Sequence, residues 1–500
     1  MTVEYDLIVI GGSKAGTYAA LAAAHLQARV ALIEPQRDQI NWLGQGALYN
    51  RAMAHVSSVL QQVRHASPLG ISFPAHDSTK SQPVPSLQLD EAMQWAQAVV
   101  STCSELLAPT VLASVGVDVI IGDGEFCRLP HLGFVVNNRR LRSRSYLIGT
   151  GSRPHIPDID GLDSVGYLTP AQIWQEERWS EREKSTSASS QFPVNWVVIG
   201  GGAQGTELAQ TLARLNYQVT LVVSESHILP QEDPEASRLI QAQLEAEGIR
   251  VLTQSPVTQV RAIEDKKWVQ AGNRAIEADE IVLAVSQQPH IESLNLEGVG
   301  VKFSPGGLEL NDKLQTTNPR IYACGDVAGG YHLAHVAQYE VGIALKNALF
   351  APLFKVDYRG IPRTIFTDPQ LARVGIGEGQ ARRYHGKDVW VLRQYFKTLE
   401  QAQLWEATTG FCKLVVRRNG EILGASVVGQ QASELIGAIA LAMRYKIKIS
   451  AIADLPQVSP TWSEVLQKTA LEWQRQRLSR NKTLQNFLEG FFNLRRDWSS

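Results

Sequence analysis

The hydrophobic pattern is set in the opening stretch, Tyr5 to Glu34. An apolar run from Leu7 to Ile10 meets a glycine turn, an alanine-rich segment follows, and a second apolar run, Arg29 to Ile33, ends on Glu34. Short continuous apolar runs bounded by turn residues predict strands buried on both faces. The small residues between them predict a helix packed close to those strands. The turn reads Gly11, Gly12, Ser13, Lys14, Ala15, Gly16, with Ser13 where a strict GxGxxG has its second glycine. Glu34 stands 18 residues beyond Gly16. Strand, glycine turn, helix, strand and acid predict a dinucleotide-binding βαβ unit, with a pyrophosphate on the amides of the helix N-terminus and Glu34 accepting from ribose hydroxyls.

The pattern then predicts helices over about 47–66 and 88–108, the latter with Leu89, Met93, Trp95, Ala98 and Val99 roughly on one side. A Pro, Ser and His-rich loop, Ser67 to Pro85, separates them. Short alternating strands run on to Tyr146, and Arg139, Arg140, Arg142 and Arg144 read as a solvated edge. Leu147 to Pro157 (LIGTGSRPHIP) closes a strand with glycines that let chains cross closely. A second fingerprint, Val197 to Gly205, carries Gly200, Gly202 and Gly205 in full GxGxxG spacing, about 190 residues after the first. Two such units predict two dinucleotides. Further on, Leu314 to Gly330 puts Asp326 at a helix N-terminus near a ligand chain. Beyond about Pro352 the pattern becomes that of a separate α+β unit, with a hairpin turning at Asn419-Gly420 and a core helix from Leu435 to Tyr445.

Composition narrows the class. Five hundred residues suggest about three domains, and with 44% hydrophobic residues, 19% charged and a net charge of -1, nothing favours nucleic acid as a partner. The strand begins too early for a signal sequence, and no apolar run reaches the roughly 20 residues that span a bilayer, so a cytoplasmic protein is expected. The four cysteines, Cys103, Cys127, Cys324 and Cys412, form neither a CxxC nor a metal-like cluster, so buried inert thiols and no metal are expected.

These landmarks, in this order over about residues 4 to 470, resemble the flavin-dependent pyridine nucleotide-disulfide oxidoreductases, the family of glutathione reductase, dihydrolipoamide dehydrogenase, mercuric reductase and the soluble transhydrogenase. The resemblance implies an α/β fold of two Rossmann-like dinucleotide-binding domains plus an α+β C-terminal dimerisation domain. It places an FAD domain at 1–160 and an NAD(P) domain at 161–290 with a Ser-rich insertion at 180–190. A returning FAD segment follows at 291–355, then the dimerisation domain at 356–470 and a basic extension at 471–500. It assigns Gly11, Gly12, Ser13, Gly16, Glu34, Thr150, Gly151, Gly325 and Asp326 to FAD, and Gly200, Gly202, Gly205 and Glu207 to NAD(P)H.

The chain also departs from that family. Matching Leu43, Gly46, Ala52 and Met53 to the family's CLNVGCxPSKAL puts Trp42 and Ala47 at the two redox cysteines, and neither can form a thiolate. Arg51 falls at the flavin-facing lysine and Glu207 at its carboxylate partner, which implies a flavin-proximal Arg51–Glu207 pair. The family's HPTxxE is here Ser459 to Glu464 (SPTWSE), so the catalytic histidine is replaced by Ser459. On the nicotinamide side Val223 occupies the place of the NAD-selecting acid, followed by Ser224, Glu225 and His227. Ala203 replaces a gating tyrosine, and the GRxPN loop is SQQPH. Relaxed cofactor choice and a decayed site both fit. Trp42 either fills the volume of the lost disulfide or shapes an acceptor pocket beside the flavin.

The reading that follows is an NAD(P)H-dependent flavoprotein oxidoreductase, not a disulfide reductase. It would act as a homodimer that passes electrons to a quinone, a second nicotinamide or a small carrier. The alternative is a non-catalytic FAD-binding regulatory or docking protein. In the tail, Leu484, Phe487, Leu488, Phe491 and Phe492 form one apolar helical stripe among Arg475, Arg477, Arg480, Lys482, Arg495 and Arg496. Two readings stand for it: packing on its own dimer, or peripheral docking to a membrane or partner.

Overall fold

The computed structural model describes residues 3–35, 41–71, 87–174 and 195–498, without the side chains of 41–45. The chain forms two compact units: Met1–Ser224 with Gly248–Asp357, and Glu225–Glu247 with Tyr358–Ser500.

In the first unit β1 (Tyr5–Ile10), α1 (Lys14–His25) and β2 (Val30–Glu34) build the opening βαβ, and all five residues of β2 are buried. Next come α2 (Asn41–Arg64), α3 (Leu89–Glu105), α4 (Pro109–Ser114) and β3 (Asp118–Ile121). A three-stranded antiparallel layer, β4 (Gly124–Cys127), β5 (Gly133–Val136) and β6 (Arg139–Leu141), leads into β7 (Ser143–Ile148) and β8 (Ser152–Pro154). The second βαβ is β9 (Asn195–Ile199), α5 (Ala203–Arg214) and β10 (Gln218–Val222).

The chain then passes through α6 (Pro234–Ala246), which belongs to the second unit, and returns at β11 (Arg250–Leu252). An antiparallel sheet of β12 (Val257–Ile263), β13 (Lys266–Ala271) and β14 (Arg274–Ala278) follows. After it come β15 (Glu280–Leu283), β16 (Gln287–Pro289), the short hairpin β17 (Phe303–Ser304) and β18 (Gly307–Leu308), β19 (Ile321–Ala323) and α7 (Ala334–Leu349).

Two parallel sheets carry these crossovers, ordered β19-β7-β1-β2-β3 and β11-β10-β9-β15. Their strands are apolar on both faces because both are covered. In the first sheet Leu7, Val9 and Leu32 pack on α1 and α7, while Ile8, Ile10 and Ile33 pack on Phe126 and Phe134 of the β4-β5-β6 layer. In the second, Val197, Ile199 and Val222 pack on Val260, Val269 and Ile276 of the β12-β13-β14 sheet. Alanines on α1 (Ala15, Ala19, Ala20, Ala23, Ala24) are buried, which brings that helix close to its sheet. The two sheets are bridged by α2 lying along α5, where Arg64 Nη1 donates to the Arg214 carbonyl (2.9 Å) and Nη2 to Asn216 Oδ1 (2.8 Å). Contrary to expectation, one helical stretch, Leu89–Ser114, is long and apolar enough by composition to span a bilayer. Here Met93, Ala96 and Val100 are buried, Tyr49 donates to the Met93 carbonyl (2.7 Å), and Pro109 opens a new helix. The Ser-rich insertion at 180–190 and most of the loop Ser67 to Pro85 lie outside the described residues.

The second unit is an antiparallel sheet, β20 (Arg363–Ile365), β21 (Gln370–Gly375), β22 (Val389–Tyr395), β23 (Phe411–Arg417) and β24 (Ile422–Gly429), in the order β20-β21-β24-β23-β22. Its helices are α6, α8 (Glu378–His385), α9 (Glu400–Leu404), α10 (Ala432–Arg444), α11 (Ile449–Asp454), α12 (Glu464–Ser479) and α13 (Lys482–Asp497). The hairpin turns where Asn419-Gly420 predicts. However, of these two only Gly420 has positive φ (88°), and the ladder register already shifts before the turn at Val415/Val416, so this is not a two-residue type I′ turn.

Inside this unit Lys413, 5% exposed on β23, is a hub for acids. Its Nζ lies 2.9 Å from Asp233, 3.0 Å from Glu378 and 3.9 Å from Glu235. Burial pulls the ammonium pKa down, but bonds from Asp233 and Glu378 outweigh this and leave it raised. Its contribution is complete below about pH 10.4 and is lost only above that. Burial likewise pushes Glu378 up, and bonds from Lys413 and Arg382 outweigh it. The lowered carboxyl stabilises above about pH 4.3 and ceases to as pH falls through its folded value. Lys413→Met leaves three carboxylates facing one another and is expected to cost about 3–5 kcal/mol at neutral pH. Urea unfolding should show the deficit narrowing toward pH 4, and a pH-independent deficit would assign it to packing.

Candidate functional site

The first fingerprint closes as a cradle at the C-terminal edge of its sheet. Gly11 has φ +106°, and a Cβ on it would sit 2.5 Å from the Thr150 Cα. A Cβ on Gly16 would sit 1.9 Å from the Gly11 carbonyl oxygen, so a side chain at either position excludes the turn. Ser13, the departure from the strict motif, has a double role that sequence reasoning missed. Its hydroxyl accepts from the Gly16 amide (3.3 Å) as the α1 N-cap and donates to the Gly149 carbonyl, tying the turn to the crossing GTGSRP segment. A serine one residue before a small-residue helix is the signal that could have revealed it. Buried Glu34 ends β2 beside the turn, its Cγ 2.7 Å from where a Gly12 Cβ would lie.

The 149–154 segment is held by the SQQPH loop. Thr150 Oγ1 donates to the His290 carbonyl (2.6 Å), the His290 amide donates to the Gly151 carbonyl (3.0 Å), and β8 pairs with β16. Asp326 arrives at the same place, accepting from the Ser152 hydroxyl (2.7 Å) with exposed His332 at 3.8 Å. Next to it the Gly325 amide donates to Glu340 Oε2 (2.7 Å). Glu340 is a second residue the sequence reading missed; it lies among buried Val336, Ala337, Val341 and Ala344 on α7, where a lone carboxylate in an apolar stripe marks a backbone partner. Gly11, Gly12, Ser13, Gly16, Glu34, Thr150, Gly151, Gly325 and Asp326 are thus assembled in one region. A dinucleotide fits it: the amides of a helix-opening glycine turn suit a pyrophosphate and a carboxylate suits a ribose diol.

The second fingerprint repeats the geometry. A Cβ on Gly205 would meet the Gly200 carbonyl at 1.9 Å, and Gly202 caps α5 without a side chain. A Cβ on Gly201 would lie 2.6 Å from Val223 Cγ1, as one on Gly12 would lie against Glu34. Val223 therefore occupies in this turn the place of Glu34 in the first. The turn still fits a pyrophosphate, with no acid at that place.

Between the two turns, on the facing helices α2 and α5, Arg51 Nη2 stands 3.6 Å from Glu207 Oε1, the contact that the family resemblance implies. Burial pushes the Arg51 guanidinium down from its ordinary value and Glu207 opposes that shift. Ala47 is exposed on α2, and the side chain of Trp42 lies outside the described residues.

The cysteines are all free. Cys324 and Cys412 are buried, which pushes the Cys324 thiol far up and the Cys412 thiol to about 12, so neither forms a thiolate near neutral pH. Contrary to the expectation of buried thiols, Cys103 is exposed on α3 and Cys127 half-buried at the end of β4. Among the described residues no group of His, Cys, Asp and Glu could hold a metal. In the second unit Glu464 accepts from the Thr461 amide (3.2 Å) and pairs with Lys468 (3.1 Å). Burial raises its pKa, and bonds from Ser459 and Lys468 reverse that, so the carboxylate is held below its usual range.

Comparison with known proteins agrees with this geometry. The chain is 30% identical to a dihydrolipoyl dehydrogenase of Bacillus subtilis (93% of this chain, 98% of the relative) and 31% identical to a mercuric reductase of Staphylococcus aureus (94% and 83%). It superposes on LpdA of Mycobacterium tuberculosis with TM-score 0.79 at 25% identity, over 93% of this chain and 99% of that one. The HOCl-induced flavoprotein disulfide reductase RclA of Escherichia coli shares the fold at TM-score 0.77 and 24% identity, over 93% and 99%. Members of the family bind FAD and NAD(P)H. The dimerisation domain matched at 361–470 supports a homodimer. With the description "Pyridine nucleotide-disulphide oxidoreductase" matching residues 5–340 and its dimerisation domain matching 361–470, the chain belongs to the pyridine nucleotide-disulfide oxidoreductase family.

Proposed function

We propose that this flavoprotein oxidoreductase takes electrons from NAD(P)H through FAD and delivers them to a non-disulfide acceptor: a quinone, a second nicotinamide or a small carrier. The observation that carries the reading is the placement of Trp42 and Ala47 at the positions matched to the redox cysteines, with Ser459 at the position matched to the histidine. Thiol exchange needs a thiolate with a second sulfur in reach. The two buried thiols, Cys324 and Cys412, are held protonated.

When bound, FAD supplies a centre that accepts a hydride and releases electrons singly or in pairs, and NAD(P)H supplies the hydride. The chain's own part is positioning. The turn closed by Gly16 and Ser13 would hold the FAD pyrophosphate, Glu34 its ribose, and Asp326, fixed by Ser152, the chain between nucleotide and ring. Gly200, Gly202 and Gly205 would hold the nicotinamide dinucleotide. Arg51, oriented by Glu207, would set a positive charge beside the reacting rings and favour negative charge developing there. Glu464, satisfied by Ser459, Thr461 and Lys468, is engaged as a structural anchor.

Anaerobic addition of NADH or NADPH to the yellow dimer is expected to bleach the flavin within seconds, and turnover with a quinone should survive alkylation of all accessible thiols. Loss of turnover on alkylation would overturn the disulfide-independent route. A second reading, FAD kept as a structural or sensing ligand, is favoured by one observation, Val223 in the place of a ribose-binding acid. Failure of both nucleotides to bleach the flavin would select it.

A further inference from the structure

The last helix does nothing for the core. Before it, within the same unit, α12 buries Val465, Leu466, Thr469, Ala470 and Trp473. Arg480 then lies over the Trp390 ring (4.7 Å), and Asn481 caps α13 by accepting from the Leu484 amide (3.0 Å). None of the residues of α13 is buried; Phe487 is 66% exposed, and Trp498 just beyond it 83%. At 100° per residue, Leu484, Phe487, Leu488, Phe491, Phe492, Leu494 and Trp498 fall within an arc of about 160°. The opposite side carries Lys482, Asn486, Glu489, Asn493, Arg496 and Asp497. Phe491 packs its ring against both Phe487 (6.5 Å) and Phe492 (5.5 Å), so the apolar side is a continuous aromatic surface.

We propose that α13 docks this enzyme onto an anionic bilayer, its Phe and Leu side sunk at the headgroup boundary and its cations on lipid phosphates. Charge complementarity selects this occupant. On α13 itself Lys482, Arg495 and Arg496 stand against Glu489 and Asp497. Just before it come Arg475, paired with Glu472 (3.8 Å), and Arg477 and Arg480, which lie over the Trp473 and Trp390 rings. The segment from Arg475 to Trp498 is thus cationic although the whole chain has a net charge of -1. Arg495 falls inside the apolar arc. A dry protein interface would have to desolvate that guanidinium, whereas at a headgroup boundary its stem lies along the apolar layer and its head reaches the phosphates. Trp498, at the helix end on the same side, has the amphipathic ring that sits best at that depth. A second copy of the chain is less suited: the dimerisation domain match ends at residue 470, before α13 begins. The proposal goes beyond the electron-transfer reading and holds whichever acceptor is used.

The test is co-sedimentation of the FAD-loaded full chain with phosphatidylcholine vesicles, with and without about 30% phosphatidylglycerol. Binding to anionic vesicles is expected to exceed that to neutral ones by about tenfold or more and to weaken in about 0.5 M NaCl. A Phe487→Ser, Phe491→Ser double variant should lose about tenfold of that binding while keeping flavin content and dimer mass. Equal binding to both vesicles, or a double variant that pellets like the parent, overturns the proposal. So does a chain truncated after Arg480 that runs as a monomer and melts at lower temperature, since the surface would then be a subunit contact.

Discussion

A Gly16→Ala enzyme is expected to purify colourless. The added Cβ would stand 1.9 Å from the Gly11 carbonyl oxygen, 3.1 Å from its carbon and 3.3 Å from the Gly149 oxygen. All three are backbone atoms, so no side-chain rotation relieves the overlap. The turn between β1 and α1 must open, at about 3 kcal/mol or more, and the amides that face a pyrophosphate then diverge. Because a ligand bound only to the folded state stabilises it by mass action, losing FAD should also remove several degrees of melting temperature. The ratio of flavin to protein absorbance, with melting in the presence and absence of added FAD, checks this. Flavin retained at parental stoichiometry would mean that the first turn does not hold the cofactor.

The matching change in the second turn should separate the two half-reactions. Gly205→Ala brings its Cβ to 1.9 Å from the Gly200 oxygen, the same overlap, but in a different sheet and around the other nucleotide. Effects at well-separated sites stay local. The variant is therefore expected to be yellow, with full flavin content, yet reduced by NAD(P)H about 100-fold more slowly, a loss of about 2.7 kcal/mol in the nicotinamide step. Stopped-flow bleaching at 450 nm measures it, with dithionite reduction as the control that should not change. Equal loss with dithionite would place the damage in the flavin site.

Both fingerprints were legible because a glycine turn is local chemistry. The residues that must lack a side chain, and the acid that ends the next strand, all lie within one βαβ unit. The Arg51–Glu207 pair was legible for a different reason. Nothing in the local sequence joins residues so far apart, and only the register of a known family put them on facing helices. The double role of Ser13 and the carboxylate beneath Gly325 were not read, since each depends on a backbone group brought in from a distant strand or helix turn. The apolar stretch Leu89–Ser114 outruns the helix predicted over 88–108, because α4, opened by Pro109, extends it. Least visible was Lys413: a lysine in a strand reads as surface, and its acids lie at the N-cap of α6 and on α8, in other parts of the sequence.

That hub bears on how the chain is made. Asp233 and Lys413 are separated by 180 positions, and α6 belongs to the unit that is otherwise synthesised last. At about 5–20 residues per second, α6 leaves the ribosome roughly 10–35 s before its counter-ion does. During that interval the first unit can close around its two nucleotide turns while α6, with an apolar side that includes Ile240 and Leu244, has no permanent seat. The nascent chain thus carries an amphipathic helix without its counter-ion until β23 is made, and the core that β23 shares with Val465, Leu466 and Trp473 closes only when α12 follows.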